Sequence, residues 1–279
     1  MREIELMFNR CRFQSVMDVA EEAKKRTDDK APFFSLLRDI AEGFYCWDSV
    51  QYDSAYNVLK KSVGKMPALL QFADNRAFVS FSQQVNSCFE RLTLIKAQRD
   101  QLKVNKGKKN IQSADPLCRD FLADIVANAI RRAEVEHKYD DAVARLYSAI
   151  EKMAKITLKA DFNFDNSAID VDSVTDEMIK TWLEAQRYGA EKLIKLPLSR
   201  SFELLFLLQH PLGKQFKEQQ QQLEKVLSIR NGTILAHGYD SVSEKTYGEM
   251  LKIALLFLGL DRSNLPVFPQ MSWGYQGLS

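Results

Sequence analysis

The chain has 279 residues, 46% of them hydrophobic, which exceeds the usual single-domain length and suffices for one large core or two moderate ones. Its net charge of +2 excludes a globally basic nucleic-acid binder, so any nucleic-acid site must be local. Four scattered cysteines without a C-x-x-C pair, no signal-like N-terminus and no run of ~18 apolar residues predict a cytoplasmic protein with reduced thiols and no membrane segment.

The first hundred residues have the pattern of consecutive amphipathic helices. Their apolar residues recur at spacings of three and four, and each run ends in a polar break. No fixed-period repeat accompanies this pattern. The predicted helices cover residues 16–23, 33–47, 52–61 and 69–102, the last of them broken near Asn75.

A lysine-rich segment separates the two halves of the chain. Residues 103–110 include four lysines and lack apolar periodicity, and Asp115-Pro116 after them can start a helix. We place a domain boundary here, between a domain at 1–110 and a second at 111–279. The lysines offer contacts to RNA phosphates, but such runs are usually solvated connectors, and we favour that interpretation.

The second half is also predicted to be helical. An irregular acidic stretch at 161–167 interrupts it, with short extended pieces near Phe162 and Val171, and no run shows sustained strand alternation. The predicted helices cover residues 116–136, 139–159, 175–190, 202–209, 213–229 and 241–260.

The segment from Arg230 to His237 combines a fixed cation, an amide and an imidazole. On a continuous helix, seven steps would place Arg230 and His237 on the same side. Asn231-Gly232 is expected to interrupt the helix, so that the chain turns and brings the two side chains closer. A cation, an amide and an imidazole are the side-chain groups that could break a phosphodiester without a metal.

Arginine-to-histidine spacing alone is a weak signal, because Arg131 and Arg132 reproduce it before His137. We interpret that second copy as structural, on the solvated face of an amphipathic helix. The segment at 230 differs because Asn231 follows the arginine directly and small residues flank the histidine.

Other candidate groups favour structural interpretations. His210, before Pro211, is expected to stabilise the end of an apolar helix. The helical spacing of three aromatic residues favours core packing over stacking on bases, and four nearby carboxylates lack the spacing of a calcium loop. These groups are Phe44, Tyr45 and Trp47, and Asp161, Asp165, Asp170 and Asp172.

The segment at 230 resembles the catalytic loop of HEPN ribonucleases, whose motif is an arginine, a polar residue, several variable positions and a histidine. Here those residues are Arg230, Asn231 and His237. Nearly the whole chain is similar to the accessory ribonucleases of type III CRISPR systems. The other parts that carry this similarity are Tyr139–Tyr147, Tyr45–Asp48, Tyr52 and Ala55.

This resemblance implies an all-α fold, with a helical, six-helix-type domain at 1–110 and a HEPN helical bundle at 111–279. In that family a nucleotide-sensing CARF domain of Rossmann type precedes both. The chain starts in helical sequence at Met1 and shows no glycine-rich strand–turn–helix opening, so we expect it to lack the sensor and not to bind cyclic oligoadenylates.

The implied activity is metal-independent cleavage of single-stranded RNA, in CRISPR-linked antiviral defence and without a cofactor. In ordinary chemical terms His237 is the general base or acid, Arg230 stabilises charge on the phosphate, and Asn231 orients the phosphate or the imidazole. The expected products are a 2′,3′-cyclic phosphate and a 5′-hydroxyl end. We expect no membrane or DNA partner.

One histidine in the motif is short of the two proton-transfer groups that acid–base cleavage uses. A homodimer would join two such segments across a two-fold axis, as HEPN relatives do, and we predict this composite site. The alternatives are a monomer in which the motif stabilises a helix junction, a catalytically silent HEPN or helical-repeat binding module, and a HEPN toxin controlled by an antitoxin.

Overall fold

The structure is a computed structural model that describes residues 1–70, 76–104, 117–189, 191–232 and 239–272. Within these ranges almost every ordered element is a helix, which confirms the predicted all-α class. None of the described helices has the length and apolar character needed to cross a bilayer. The contacts divide the chain into two compact units, Met1–Ala97 with the residues from Pro266 on, and Gln98–Leu265.

Unit 1 is built from consecutive helices, the first four of them joined by short turns. Two aromatic positions in α3 lie at the centre of its core, because helical spacing puts them on the face that packs against α2 and α4. The helices are α1 (Arg2–Asn9), α2 (Phe13–Arg26), α3 (Ala31–Asp48), α4 (Tyr52–Leu70) and α5 (Arg76–Val104), the last continuing into unit 2.

The aromatic core of unit 1 confirms the packing predicted for Phe44 and Trp47. Their rings stack with centroids 5.9 Å apart and are essentially unexposed. Phe8 and Phe268 add edge-on contacts to Phe44 at 5.7 and 4.9 Å. Tyr45 is different, since its side chain points out of this core and is 41% exposed.

The N-terminal helices differ from the predicted bounds in two places. α1 was not predicted, because its apolar contribution to the core is confined to Ile4 and Phe8. α4 continues past residue 61 to Leu70, although Pro67 lies inside it. Buried Ser62 and Met66 extend its packed face, and a serine there hides the apolar periodicity. The break predicted near Asn75 lies outside the described residues.

Unit 2 is arranged around one long helix, α7, which packs against α6, α9, α10 and α11. Stacked Phe202 and Phe216, with Phe257 edge-on, fill the core between α9, α10 and α11. The helices are α6 (Arg119–Glu134), α7 (Tyr139–Phe162), α8 (Glu177–Glu184), α9 (Leu198–Leu207), α10 (Pro211–Asn231) and α11 (Glu244–Leu258).

Two short strands interrupt the helices of unit 2. β1 (Ile169–Asp170) and β2 (Leu193–Ile194) pair antiparallel, with Ile169 opposite Ile194. The extended pieces were predicted a few residues away, near Phe162 and Val171, but Phe162 ends α7 and Val171 begins a 3₁₀ turn. The excursion between the strands contains α8, which is shorter than the helix predicted at 175–190.

The predicted domain boundary between 110 and 111 falls outside the described residues and remains a prediction. The end of α5 belongs to unit 2, because Gln98 Oε1 accepts the Phe121 N–H at 2.9 Å. The chain after Pro266 belongs to unit 1. There Asn9 exchanges two hydrogen bonds of 2.8 Å with the backbone of Met271.

Candidate active site

α10 ends at Asn231, which confirms the helix interruption predicted at Asn231-Gly232. Asn231 is exposed there, and Arg230 belongs to the last turn of the helix. The side chain of Arg230 and the whole of His237 lie outside the described part of the chain. The structure therefore leaves their predicted convergence untested.

The carbonyl of Gly232 joins the two ends of the segment that carries the motif. It accepts the N–H groups of Tyr239 at 3.0 Å and Asp240 at 3.1 Å, while the Gly232 N–H donates back to Ile229 O at 3.0 Å. A Cβ at Gly232 would lie 3.3 Å from Ile229 O, closer than most such contacts. The helix end and the returning chain are thus held together at a residue without a side chain.

The returning chain is then fixed to α7 and α11. The Val242 N–H donates to Asp140 Oδ1 in the first turn of α7 at 3.0 Å. Ser243 caps α11, with its Oγ accepting the Thr246 N–H at 3.2 Å. Sequence reasoning missed this role of Asp140, because a carboxylate at a helix start usually binds its own helix and no local pattern indicates a partner 102 positions away.

A pair of tyrosines, Tyr139 and the buried Tyr247, lies at the same end of α7. The rings of Tyr139 and Tyr247 lie 6.0 Å apart, and Tyr247 Oη donates to Glu134 Oε1 at 3.0 Å. Arg262 pairs with the other oxygen of Glu134. Burial, together with the neighbouring Glu134 carboxylate, raises the pKa of Tyr247 above its ordinary value. Its hydroxyl therefore stays protonated and acts as a hydrogen-bond donor.

The arginines of the second arginine–histidine pattern are not on the solvated face that was predicted for them. Arg132 pairs with Glu136 and lies 3.5 Å from Asp141. Arg131 is only 8% exposed, because it shares the inward face of α6 with Asn128 and Asp124, one and two turns earlier. That solvated-face prediction was wrong.

His137 follows this pattern at the end of α6, in the left-handed conformation with φ of 56°. Its imidazole is exposed, and Nδ1 lies 3.4 Å from Tyr139 Oη. The residue ends the helix and leaves its ring in solvent, which makes it a useful reference for the histidine of the motif.

His210 stabilises a helix end, but of α10 rather than of the preceding α9. Its Nδ1 accepts the Leu212 N–H at 3.2 Å, and its Nε2 lies 3.2 Å from Asp161 Oδ2. The ring of Phe162 packs edge-on against it at 5.9 Å. Because α9 already ends at Leu207, the imidazole satisfies one of the first N–H groups of the next helix, that of Leu212.

The acidic residues after α7 support local structure. Asp165 accepts the Ser167 N–H at 3.1 Å and pairs with Lys155, and Asp170 accepts the Asp172 N–H at 3.2 Å. In the ranges that the structure describes, no group of three or more His, Cys, Asp or Glu side chains could hold a metal ion.

Comparison with known families covers both units. A family model described as the Csm6 HEPN domain matches residues 110–260, more than half of the chain, and includes the whole segment from Arg230 to His237. A second model, the Csm6 6H domain, matches residues 1–92. No curated protein matches the chain significantly.

Proposed function

The chain belongs to the Csm6 family, with a 6H domain followed by a HEPN domain, and from this we propose that it is a metal-independent endoribonuclease acting on single-stranded RNA in CRISPR-associated defence. HEPN domains of this family are generally ribonucleases. The observation that carries the proposal is that the HEPN match includes Arg230, Asn231 and His237 in the order of the motif.

These three side chains are of the types that transesterification uses. A base removes the 2′-hydroxyl proton, the 2′-oxygen bonds to phosphorus, and the bond to the 5′-oxygen breaks as that oxygen takes up a proton. His237 serves as base or acid, because an imidazole titrates near neutral pH. Arg230 neutralises the charge that develops on the phosphate oxygens, and Asn231 orients the phosphate or the imidazole by hydrogen bonding. The products are a 2′,3′-cyclic phosphate and a 5′-hydroxyl.

The closure at Gly232 supports a role for both ends of the segment. Arg230 precedes Gly232 by two residues, and His237 precedes Tyr239 by two. Gly232 O and Tyr239 N are 3.0 Å apart, and two residues span at most about 7 Å of chain. This favours an arrangement in which the guanidinium and the imidazole serve one phosphate.

The second proton-transfer group is proposed to come from a second copy of the chain. One imidazole can act either as the base that deprotonates the 2′-hydroxyl or as the acid that protonates the leaving 5′-oxygen. The step needs both a base and an acid. A two-fold axis that brings two motifs together supplies both. The active species is therefore a homodimer.

Incubation with end-labelled single-stranded RNA in excess EDTA tests the activity. We expect cleavage by the wild-type protein, with 2′,3′-cyclic phosphate ends, and a loss of at least about 100-fold in His237→Ala and Arg230→Ala, as for removal of an acid–base group.

His137→Ala is the matched control, because it removes an exposed imidazole from the other arginine–histidine pattern. It should keep full activity. Unchanged cleavage in His237→Ala, or cleavage that disappears in EDTA, would contradict the proposal; absence of any cleavage would favour a silent binding module.

A further inference from the structure

One face of α7 carries cations that the proposed chemistry does not use. Lys152 and Lys155 lie three residues apart on this face, one turn after Ser148. Lys152 is partly buried, and its Nζ donates to Ser148 Oγ. Among the described residues, no carboxylate lies within ion-pair distance of it. Lys155 donates to Ser167 Oγ at 3.1 Å and lies 3.5 Å from Asp165 Oδ1.

The environment of Lys152 is electrostatically unfavourable for an isolated cation. Burial lowers the pKa of its ammonium from the ordinary value; the exposed Glu151 opposes this shift, and the neighbouring Lys155 adds to it. A cation that loses water without gaining a counter-charge is destabilising, and a bound anion would reverse that cost.

The cations on this face of α7 differ in their partners. Lys155 is 42% exposed at its side chain, and its contacts with Asp165 and Ser167 leave one of the three ammonium donors available. Lys159, one turn on, donates to the neutral Asn163 amide at 2.8 Å. Arg145, two turns before Lys152, is occupied by both oxygens of Asp141 at 3.0 and 3.2 Å. Lys152 is therefore the cation of this face without a carboxylate partner among the described residues, and Lys155 adds a half-exposed ammonium whose charge Asp165 partly offsets.

α7 connects this charge to the proposed active site. Its first turn holds the returning chain through Asp140 and Val242. At 1.5 Å per residue, Lys152 lies about 18 Å along the helix from Asp140, and Lys155 about 22 Å. That distance is too long for contact with the scissile phosphate but within reach of a phosphate several nucleotides away.

We propose that Lys152 and Lys155, with the hydroxyl of Ser148, bind a backbone phosphate of single-stranded RNA several nucleotides from the point of cleavage. The Ser167 hydroxyl takes no part, because it donates to Asp165 Oδ1. Ammonium groups beside a hydroxyl match phosphate oxygens in charge and in hydrogen-bond donors. The inference rests on the proposed function for the identity of its ligand. An acidic segment of another protein is the competing occupant.

Binding of fluorescent 2′-O-methyl oligonucleotides, which resist cleavage, tests this site by anisotropy. For a 15-mer, Lys152→Gln should weaken binding about fivefold at 0.1 M salt and reduce the slope of log K against log salt by about 0.7, the value for one lost phosphate contact. A trinucleotide, too short to reach from the cleavage point, should bind unchanged. Lys152→Arg should restore the 15-mer affinity.

Lys25→Gln is the matched control, since it removes a surface cation from α2 in unit 1 that pairs with Glu22. It should leave both oligonucleotides unaffected. Equal weakening of trinucleotide and 15-mer in Lys152→Gln, no weakening of either, or failure of the wild-type chain to bind the 15-mer would overturn the inference. So would a change in dimerisation without a change in RNA affinity, which would assign the anion to a protein partner.

The binding experiment separates this inference from the proposed function, because the oligonucleotides are not cleaved. A protein that binds the 15-mer through Lys152 but cuts no RNA would leave the inference standing and refute the ribonuclease. A protein that cuts RNA, but whose affinity for the 15-mer does not depend on Lys152, would support the ribonuclease and refute the inference.

Discussion

Val50 holds a backbone conformation that β-branched residues rarely adopt. It follows α3 with φ of 62°, and its side chain is 40% exposed. Its N–H donates to Trp47 O at 2.8 Å and the Gln51 N–H donates to Cys46 O at 2.8 Å. This pair of bonds closes a helix end in a motif that normally uses glycine or asparagine. The turn to α4 is therefore made at the cost of local strain.

We expect Val50→Asn to raise the free energy of unfolding by about 1 kcal/mol, because asparagine tolerates the left-handed region without the flexibility of glycine. Urea denaturation followed by circular dichroism measures the change. Gly259 provides the reciprocal control, at φ of 59° with open space around its Cβ position. Gly259→Val should destabilise by a similar amount, and an unchanged midpoint in Val50→Asn would refute the strain.

At the residue scale, the histidines show how far local sequence predicts a role. His210 precedes a proline, which correctly indicated a helix junction, but only the contacts with Leu212 and Asp161 reveal which helix it stabilises. Arg131 has the polarity of a surface residue and is buried. Polarity alone does not predict exposure when a helix presents a polar stripe inward.

At the element scale, α9 and α10 approach so closely that their junction requires glycine. A Cβ at Gly213 would lie 2.1 Å from the backbone nitrogen of Phe206. This approach lets Phe202 and Phe216 stack with centroids 5.2 Å apart. It therefore helps to set the direction of α10, whose far end carries Arg230.

Gly213→Ala should lower the free energy of unfolding by about 3 kcal/mol, because backbone atoms cannot move aside as side chains can. Thermal and urea denaturation measure it. Gly248→Ala in α11 is the matched control: nothing lies within 4 Å of its Cβ position, so alanine should stabilise by about 0.5–1 kcal/mol through helix propensity. Equal effects at the two positions would contradict the close-approach argument.

At the scale of the whole molecule, the proposed activity belongs to a pair of chains. Excess inactive His237→Ala protein should sequester wild-type chains in dimers with incomplete sites and so lower the activity per wild-type chain several-fold. The assay uses saturating RNA, so that competition for substrate does not contribute. Sedimentation equilibrium identifies the species present.

Excess His137→Ala protein is the control for that mixture, since it dimerises equally and should not inhibit. An active species that sediments as a monomer, or mixtures whose activity is independent of the His237→Ala protein, would contradict a composite site. The ribonuclease itself could still stand in that case, with the second proton-transfer group supplied within one chain.

Apolar periodicity by itself determined the helical class and most helices of unit 2, and the residues Asn231-Gly232 predicted the end of α10. These features depend on contacts within a few residues. It also predicted the core positions of Phe44 and Trp47. The motif at Arg230, Asn231 and His237 was read from residue types and order alone, and its geometry remains a prediction.

Only the tertiary structure decided which distant residues meet. Nothing near Asp140 indicates that it holds Val242, and nothing near Phe268 indicates that it completes the core of unit 1. The burial of Lys152 without a carboxylate is likewise invisible in a helix that reads as amphipathic. Local patterns report the free energy of forming a helix. These contacts depend instead on how helices pack, and that packing is determined jointly by residues far apart in the chain.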